Sequence, residues 1–216
     1  MRIRKAVFIM LMLALAAALL AVTAQATDYE ASTWAQLQAQ INAAADGDTI
    51  TLTQDITAGP DDELLIVSGK SITLDLNGHT LNRNRSSMDP DGHVIQVYAG
   101  GDLTIMDSSD EKTGTITGGW ANNGGGINNQ GSLNVENCHF VRNKATNGGA
   151  IYNYGYLYLE NCSFKDNFAT TSGGAVYNDT NGDIAISDAD FDGNTATVSG
   201  GAIYNKGHIG FEDGTW

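Results

Sequence analysis

A glycine-led phrase returns four times along the second half of this 216-residue chain. It reads Gly124-Gly125-Gly126-Ile127-Asn128-Asn129, Gly148-Gly149-Ala150-Ile151-Tyr152-Asn153, Gly173-Gly174-Ala175-Val176-Tyr177-Asn178 and Gly200-Gly201-Ala202-Ile203-Tyr204-Asn205. The returns are 24, 25 and 27 residues apart. A second phrase follows each of them and opens on Gly131, Gly155, Gly182 or Gly207. A period in the twenties with strand-like content builds stacked coils, each covering its neighbour, and not a ball folded around one centre.

The second phrase shows how a coil is bent. Counting its glycine as zero, offsets two and four are apolar: Leu133/Val135, Leu157/Leu159, Ile184/Ile186 and Ile209/Phe211. Offsets seven and nine are apolar or small: Cys138/Phe140, Cys162/Phe164, Ala189/Phe191 and Gly214/Trp216. Side chains alternate along a strand, so inward positions that switch from even to odd require a bend at offsets five and six. Each coil is then three short strands wound into a prism lined by ladders of like residues. The fold class is all-β: a single-stranded parallel β-helix, a pectin-lyase-like solenoid. The usual chirality of parallel crossovers makes it right-handed.

Three segments precede or form the stack. Residues 1–26 read as a secretory signal, with Arg2, Arg4 and Lys5 before an apolar run and Ala24-Gln25-Ala26 as the cleavage site. An uncleaved anchor is the competing reading, because the run is long. Residues 27–47 form a polar lead and a capping helix. Ser32 or Thr33 caps it, Trp34, Leu37, Ile41 and Ala45 lie at helical spacing, and Asp46-Gly47 ends it. Residues 48–216 form the β-helix, regular from 124 onward. Early coils are irregular, and the polar run 82–92 reads as a loop leaving the stack.

Charge narrows the partners. Removing the signal leaves eight basic against 25 acidic residues, so the formal charge moves from -14 to -17. Phosphate binding needs clustered Lys and Arg, so nucleic acid and anionic lipid are excluded as natural partners. No second apolar span follows, so the mature segment does not itself insert into a membrane. No Gly-x-Ser-x-Gly, phosphate loop or zinc signature is present. His79, His93, His139 and His208 have no second ligand at metal spacing.

Most repeated columns read as structural. Asn129/153/178/205, Asn143/167/194 and the corner column Asn137/Asn161/Asp188/Asp213 suit amide ladders. Tyr152, Tyr177 and Tyr204 are packed supports or, if exposed, a strip for sugar rings. Arg142–Asp166 and Lys165–Asp192 lie one coil apart and pair as surface charges. Cys138 and Cys162 stack on neighbouring coils; in-register parallel side chains favour two packed thiols over a bridge. Glu136, Glu160 and Asp188 form an oxygen-rich corner that suits weakly bound calcium, the alternative being a solvated acidic edge. No other cofactor is expected.

The Gly-Gly-Ala-Ile/Val tetrad with its glycine pairs Gly148/Gly149, Gly173/Gly174 and Gly200/Gly201 occurs beside a second motif, Phe-x-x-Asn. The latter is Phe140-Val-Arg-Asn143, Phe164-Lys-Asp-Asn167 and Phe191-Asp-Gly-Asn194. Together they resemble the repeat of the chlamydial polymorphic outer-membrane proteins and of bacterial β-helix surface proteins more broadly. The resemblance implies a surface-displayed passenger of adhesin type. Gly126 and Asn128 depart from the pattern, and the last repeat stops at Trp216 before its Phe-x-x-Asn, which reads as a fragment of a longer protein.

Three functions follow as expectations. The first is a non-enzymatic secreted or cell-surface binding protein, extracellular or displayed at the cell surface, the outer membrane included. It would meet a host or neighbouring-cell surface, or carbohydrate. The second is a polysaccharide lyase or glycoside hydrolase, with Asp89 and Asp91 near Arg83 and Arg85 as loose candidates. The third is a spacer.

Overall fold

The computed structural model describes residues 26–211. Most of the signal segment, and Asp213, Gly214 and Trp216, lie outside the described residues. Within them the chain forms one helix and 22 strands, and every strand pairing is parallel. The product is a parallel β-solenoid whose interior is apolar from end to end.

Three sheets wrap that interior, of twelve, six and four strands. The six-stranded sheet stacks Leu65–Val67, Ile95–Val97, Ile127–Asn129, Ile151–Asn153, Val176–Asn178 and Ile203–Asn205. The four-stranded sheet holds Trp120–Asn123, Lys144–Asn147, Phe168–Ser172 and Thr195–Ala196. The large sheet contains both halves of the second phrase. In two coils it runs unbroken through the bend, as Tyr156–Lys165 and Asp183–Asp192.

The bend sits where the parity switch demands it. Asn137, Asn161 and Asp188, all at offset six, have φ of 58°, 49° and 70°. Asn and Asp tolerate this left-handed conformation best among residues with a side chain. Only glycine serves at the start of each coil phrase. Gly124, Gly148, Gly173 and Gly200 have φ between 60° and 69°, and a Cβ on Gly124 would lie 1.9 Å from the Ile127 carbonyl.

The Phe-x-x-Asn motif has a mechanical basis. Phe140, Phe164 and Phe191 point inward and stack at 5.0 and 4.9 Å, with rings within 8° of parallel. Each following asparagine turns its amide into the coil wall. Asn167 Nδ2 donates to the Phe140 carbonyl at 2.9 Å and to Asn194 Oδ1 at 2.9 Å, while its Oδ1 accepts from the Asn143 backbone and side chain. Asn143, Asn153, Asn167 and Asn178 are fully buried, and this network satisfies donors that a parallel sheet leaves at its corners. Asn129, Asn153, Asn178 and Asn205 form a second ladder of the same kind, with 2.7–2.8 Å contacts.

The capping helix spans Trp34–Ala43 and buries Trp34, Leu37 and Ile41 against the first coil. Thr33 is the cap, its hydroxyl accepting from the Gln36 backbone. Two expectations are corrected here. Ala44 turns extended, so Ala45 is outside the helix and exposed; Lys70 Nζ closes that end by donating to the Ile41, Asn42 and Ala44 carbonyls. The polar lead is itself a strand, Asp28–Ala31, paired in register with Thr49–Leu52.

Candidate functional site: a gap in the tyrosine column

Alternation on the six-stranded sheet turns Ile151, Val176 and Ile203 inward, and Tyr152, Tyr177 and Tyr204 outward. The outward rings stack at 5.1 Å. The middle ring, Tyr177, is only 7% exposed, so the column supports the sheet as well as presenting a face. Lys206 Nζ lies 5.3 and 5.8 Å from the Tyr177 and Tyr204 ring centres, a cation over aromatic faces.

The column ends at Tyr152. Its register partner on the preceding coil is Asn128, and below that Gln96 folds its amide back onto the Val97 carbonyl. Beside Asn128 a groove of about 390 Å³ opens, lined by Ala99, Asn123, Asn128, Gln130, Tyr152, Tyr154 and Asp179. Both tyrosines are held at their hydroxyls. Tyr152 donates to Asp179 Oδ2, and Tyr154 accepts from Asn181 Nδ2. The hydrogen bond from Tyr152 and that from the Thr180 backbone hold the Asp179 carboxyl below its usual range against the opposing effect of burial. Burial and the same carboxylate push the Tyr152 phenol up. Asn128 Oδ1 is buried and accepts no hydrogen bond.

A second cleft, about 350 Å³, lies near the capped end between residues 60–66 and 83–91. It brings Asp89, Asp91, Arg83 and Arg85 together, as the sequence proposed, and adds Asp61, Asp62 and Glu63. Residues 83–92 form no strand, as the loop reading of 82–92 has it, but the segment does not leave the stack: the Arg83 and Arg85 backbone N–H groups donate to the Thr117 and Gly118 carbonyls of the next coil. Arg83 is 1% exposed: its Nε donates to the His93 carbonyl at 3.1 Å, its Nη1 to the Asp62 carbonyl at 2.7 Å, and its guanidinium faces the Trp34 ring at 5.4 Å. Burial, with repulsion from Arg85, lowers its pKa to about 10. Arg85 donates to the Pro60 and Asp62 carbonyls and approaches Asp89 at 3.7 Å. Both arginines are therefore ties between loops. His93, 3% exposed with neither ring nitrogen bonded, is lowered to about 4 by burial.

The remaining sites fall out as follows. Glu136 and Glu160 are register partners, whereas Asp188 belongs to the adjacent column with Asn137 and Asn161. Asn161 Nδ2 donates to Asn137 Oδ1 at 2.7 Å, so these corner groups serve the bend. Among the described residues no three His, Cys, Asp or Glu side chains converge as a metal site. Cys138 and Cys162 are free, buried thiols directed at backbone carbonyls. Burial pushes Cys162 up to about 12 and Cys138 well above its ordinary value, so both stay protonated and inert. Lys165 pairs with Asp192 at 3.6 Å; Arg142 and Asp166 share a column without an ion pair.

Sequence reasoning missed Asp179, Arg83 and His93 as shaped positions. Asp179 occupies the place of Gln130, Tyr154 and Lys206 in other coils, so nothing repeats there to draw notice.

Comparison with known proteins agrees with the stack. Residues 137–154, 161–179 and 188–206 match the Chlamydia polymorphic membrane protein repeat. Each matched segment opens on the left-handed corner residue and runs through Phe-x-x-Asn to the glycine tetrad. The first glycine phrase, which carries Gly126 and Asn128, lies outside the matches. No curated protein and no solved structure matches the chain. Among the described residues no helix is long and apolar enough to cross a membrane. The chain is a parallel β-solenoid in which three successive segments are similar to the Chlamydia polymorphic membrane protein repeat.

Proposed function

We propose that this is a secreted or cell-surface binding protein of adhesin type, non-enzymatic, whose solenoid displays side chains to a host or neighbouring cell surface or to its carbohydrate. One observation carries the reading. Parallel register stacks Tyr152, Tyr177 and Tyr204 in a row on the outer face of a sheet, and beside that row Tyr98 and Tyr154 are 44% and 45% exposed, where burial of an inner core does not require them. The repeat of a membrane protein family supports a surface location. The strongly acidic balance keeps such a rod soluble and away from nucleic acid.

Attachment of the fluorescently labelled chain to intact cells tests it. Saturable attachment, competed by unlabelled chain, is the expected result. Labelled chain that never exceeds an albumin control would leave the spacer reading in its place.

The second cleft favours one alternative, a polysaccharide lyase or hydrolase, because it gathers five carboxylates and two arginines. Against it, Arg83 and Arg85 are engaged with backbone carbonyls. Incubation with neutral and acidic polysaccharides decides the matter. New chain ends that vanish in Asp89→Asn or Asp91→Asn would replace the binding reading with the catalytic one.

A further inference from the structure

Columns that serve this fold repeat the same residue: asparagine in two ladders, phenylalanine in the core, tyrosine outside. Two neighbouring positions break that habit. The tyrosine column is interrupted by Asn128, and the column beside it reads Gln130, Tyr154, Asp179 and Lys206. Where repetition lapses on an exposed face, packing no longer dictates the side chain. Both lapses meet in the groove of about 390 Å³.

We propose that this gap is a subsite for one uncharged pyranose ring of a glycan, stacked on the face of Tyr152 turned away from Tyr177. The inference rests on the binding reading above and names the ligand class of one face. Four observations specify it. Tyr152 is stacked on a ring on one side only; its other neighbour in the column is the smaller Asn128, and the groove opens between residues of these two coils. Its ring is fixed, because its hydroxyl is bonded to Asp179, so the platform is ready before the ligand arrives. Polar residues line the groove around the platform: Asn128, Gln130 and the Asp179 carboxylate. A ligand with one apolar ring face and a hydroxyl edge satisfies both kinds of surface.

Charge selects among such rings. Asp179 is held ionised, and the chain carries a large negative charge, so uronates, sialylated ends and phosphates are repelled. The volume falls near the low end of the range for small-ligand pockets, about 300–1,000 Å³, which suits one or two sugar residues. Tyr154, exposed and braced by Asn181, supplies a second platform beside the first.

Calorimetric titration of the purified chain with cellotriose, mannotriose and chitotriose, and with trigalacturonate as the anionic comparison, tests the site. At least one neutral trisaccharide is expected to bind and trigalacturonate to bind none. Asn128→Tyr fills the gap with the column's own side chain. It should weaken saccharide binding at least about tenfold, the worth of one aromatic stacking contact, while the melting temperature holds or rises. Tyr154→Ala should weaken binding in the same direction without touching the column. The site is overturned if no neutral trisaccharide binds, if trigalacturonate binds best, or if both variants bind like the parent. Cells that retain labelled Asn128→Tyr at parental levels, with saccharide binding also unchanged, remove the site and leave the adhesive reading intact. A parent chain that binds a neutral trisaccharide yet attaches to no cell would instead keep the site and remove the broader reading.

Discussion

The two ends of this solenoid solve one problem in opposite ways. From residue 124 onward, the buried polar residues other than Ser172 are asparagines, and each is bonded to its counterpart on the next coil. Before that point no buried polar group among the described residues is bonded to a copy of itself on the next coil. Asp48 accepts from Thr27 and Ala45, Asp107 from Gly78, Ser109 and Gly114, and Asp75 from Asn77 and Ser108, while Arg83 ties two loops by their carbonyls. A ladder shares its load along the rod; a knot concentrates it in one place. Grooves arise where either system stops: at the knot of Arg83 and Arg85, and at the gap beside Asn128.

Substitutions can break this contrast. The largest effect is expected from Phe164→Ala, which removes the middle ring of the aromatic ladder and leaves a cavity between Phe140 and Phe191. A loss of about 4 kcal/mol is expected in denaturant unfolding, spread over both neighbouring coils in hydrogen exchange. Arg83→Ala should cost about 3 kcal/mol, since two carbonyls lose a charged donor. Its exchange signature should be confined to residues 58–64 and 82–92. Equal acceleration across the asparagine ladders would show that the knot and the ladders are one cooperative unit.

Acid sharpens the comparison further. His93 is lowered to about 4 from an ordinary 6.5, so on acidification the unfolded chain takes up its proton first. Stability is therefore expected to fall as pH drops from about 6.5 to 4, by up to about 3 kcal/mol. The same substitution test separates sources: His93→Phe should flatten that slope, leaving the acid loss below it from Asp48, Asp107 and Asp179, whose depressed carboxyls lose their stabilising effect as they protonate. A slope unchanged in His93→Phe would place the sensitivity elsewhere. The smallest change is expected from Asn167→Ala, about 2 kcal/mol, because it orphans the Phe140 carbonyl and the Asn143 donors. Asn167→Asp should cost as much or more, since a carboxylate cannot donate to that carbonyl, and thermal melts of the pair check this.

How much was legible follows the same division. The bend at Asn137, Asn161 and Asp188 was readable because a parity switch at fixed offset has one geometric solution. The thiols of Cys138 and Cys162 were readable because stacked positions fix what lies beside them. Arg83 was not, since a charged residue within an Asn-Arg-Asn-Arg run carries the signature of a solvated loop. Its carbonyl partners lie 10 and 21 residues away with no period to point to them. The columns at the oxygen-rich corner were readable too: Glu136 and Glu160 are register partners, and Asp188 lies in the adjacent column with Asn137 and Asn161.

What the amino-acid order determined alone is the stack: period, inward ladders, corner residues and the satisfied asparagines. In a solenoid each residue's neighbours sit one period away, so spatial contact is written as sequence spacing. Tertiary structure alone decided where the stack is interrupted in a useful way: the burial of Arg83 and His93, and the groove in which Asn128, Tyr154 and Asp179 meet. Those contacts join positions that do not repeat, and only the folded path of the chain brings their side chains within reach of one another.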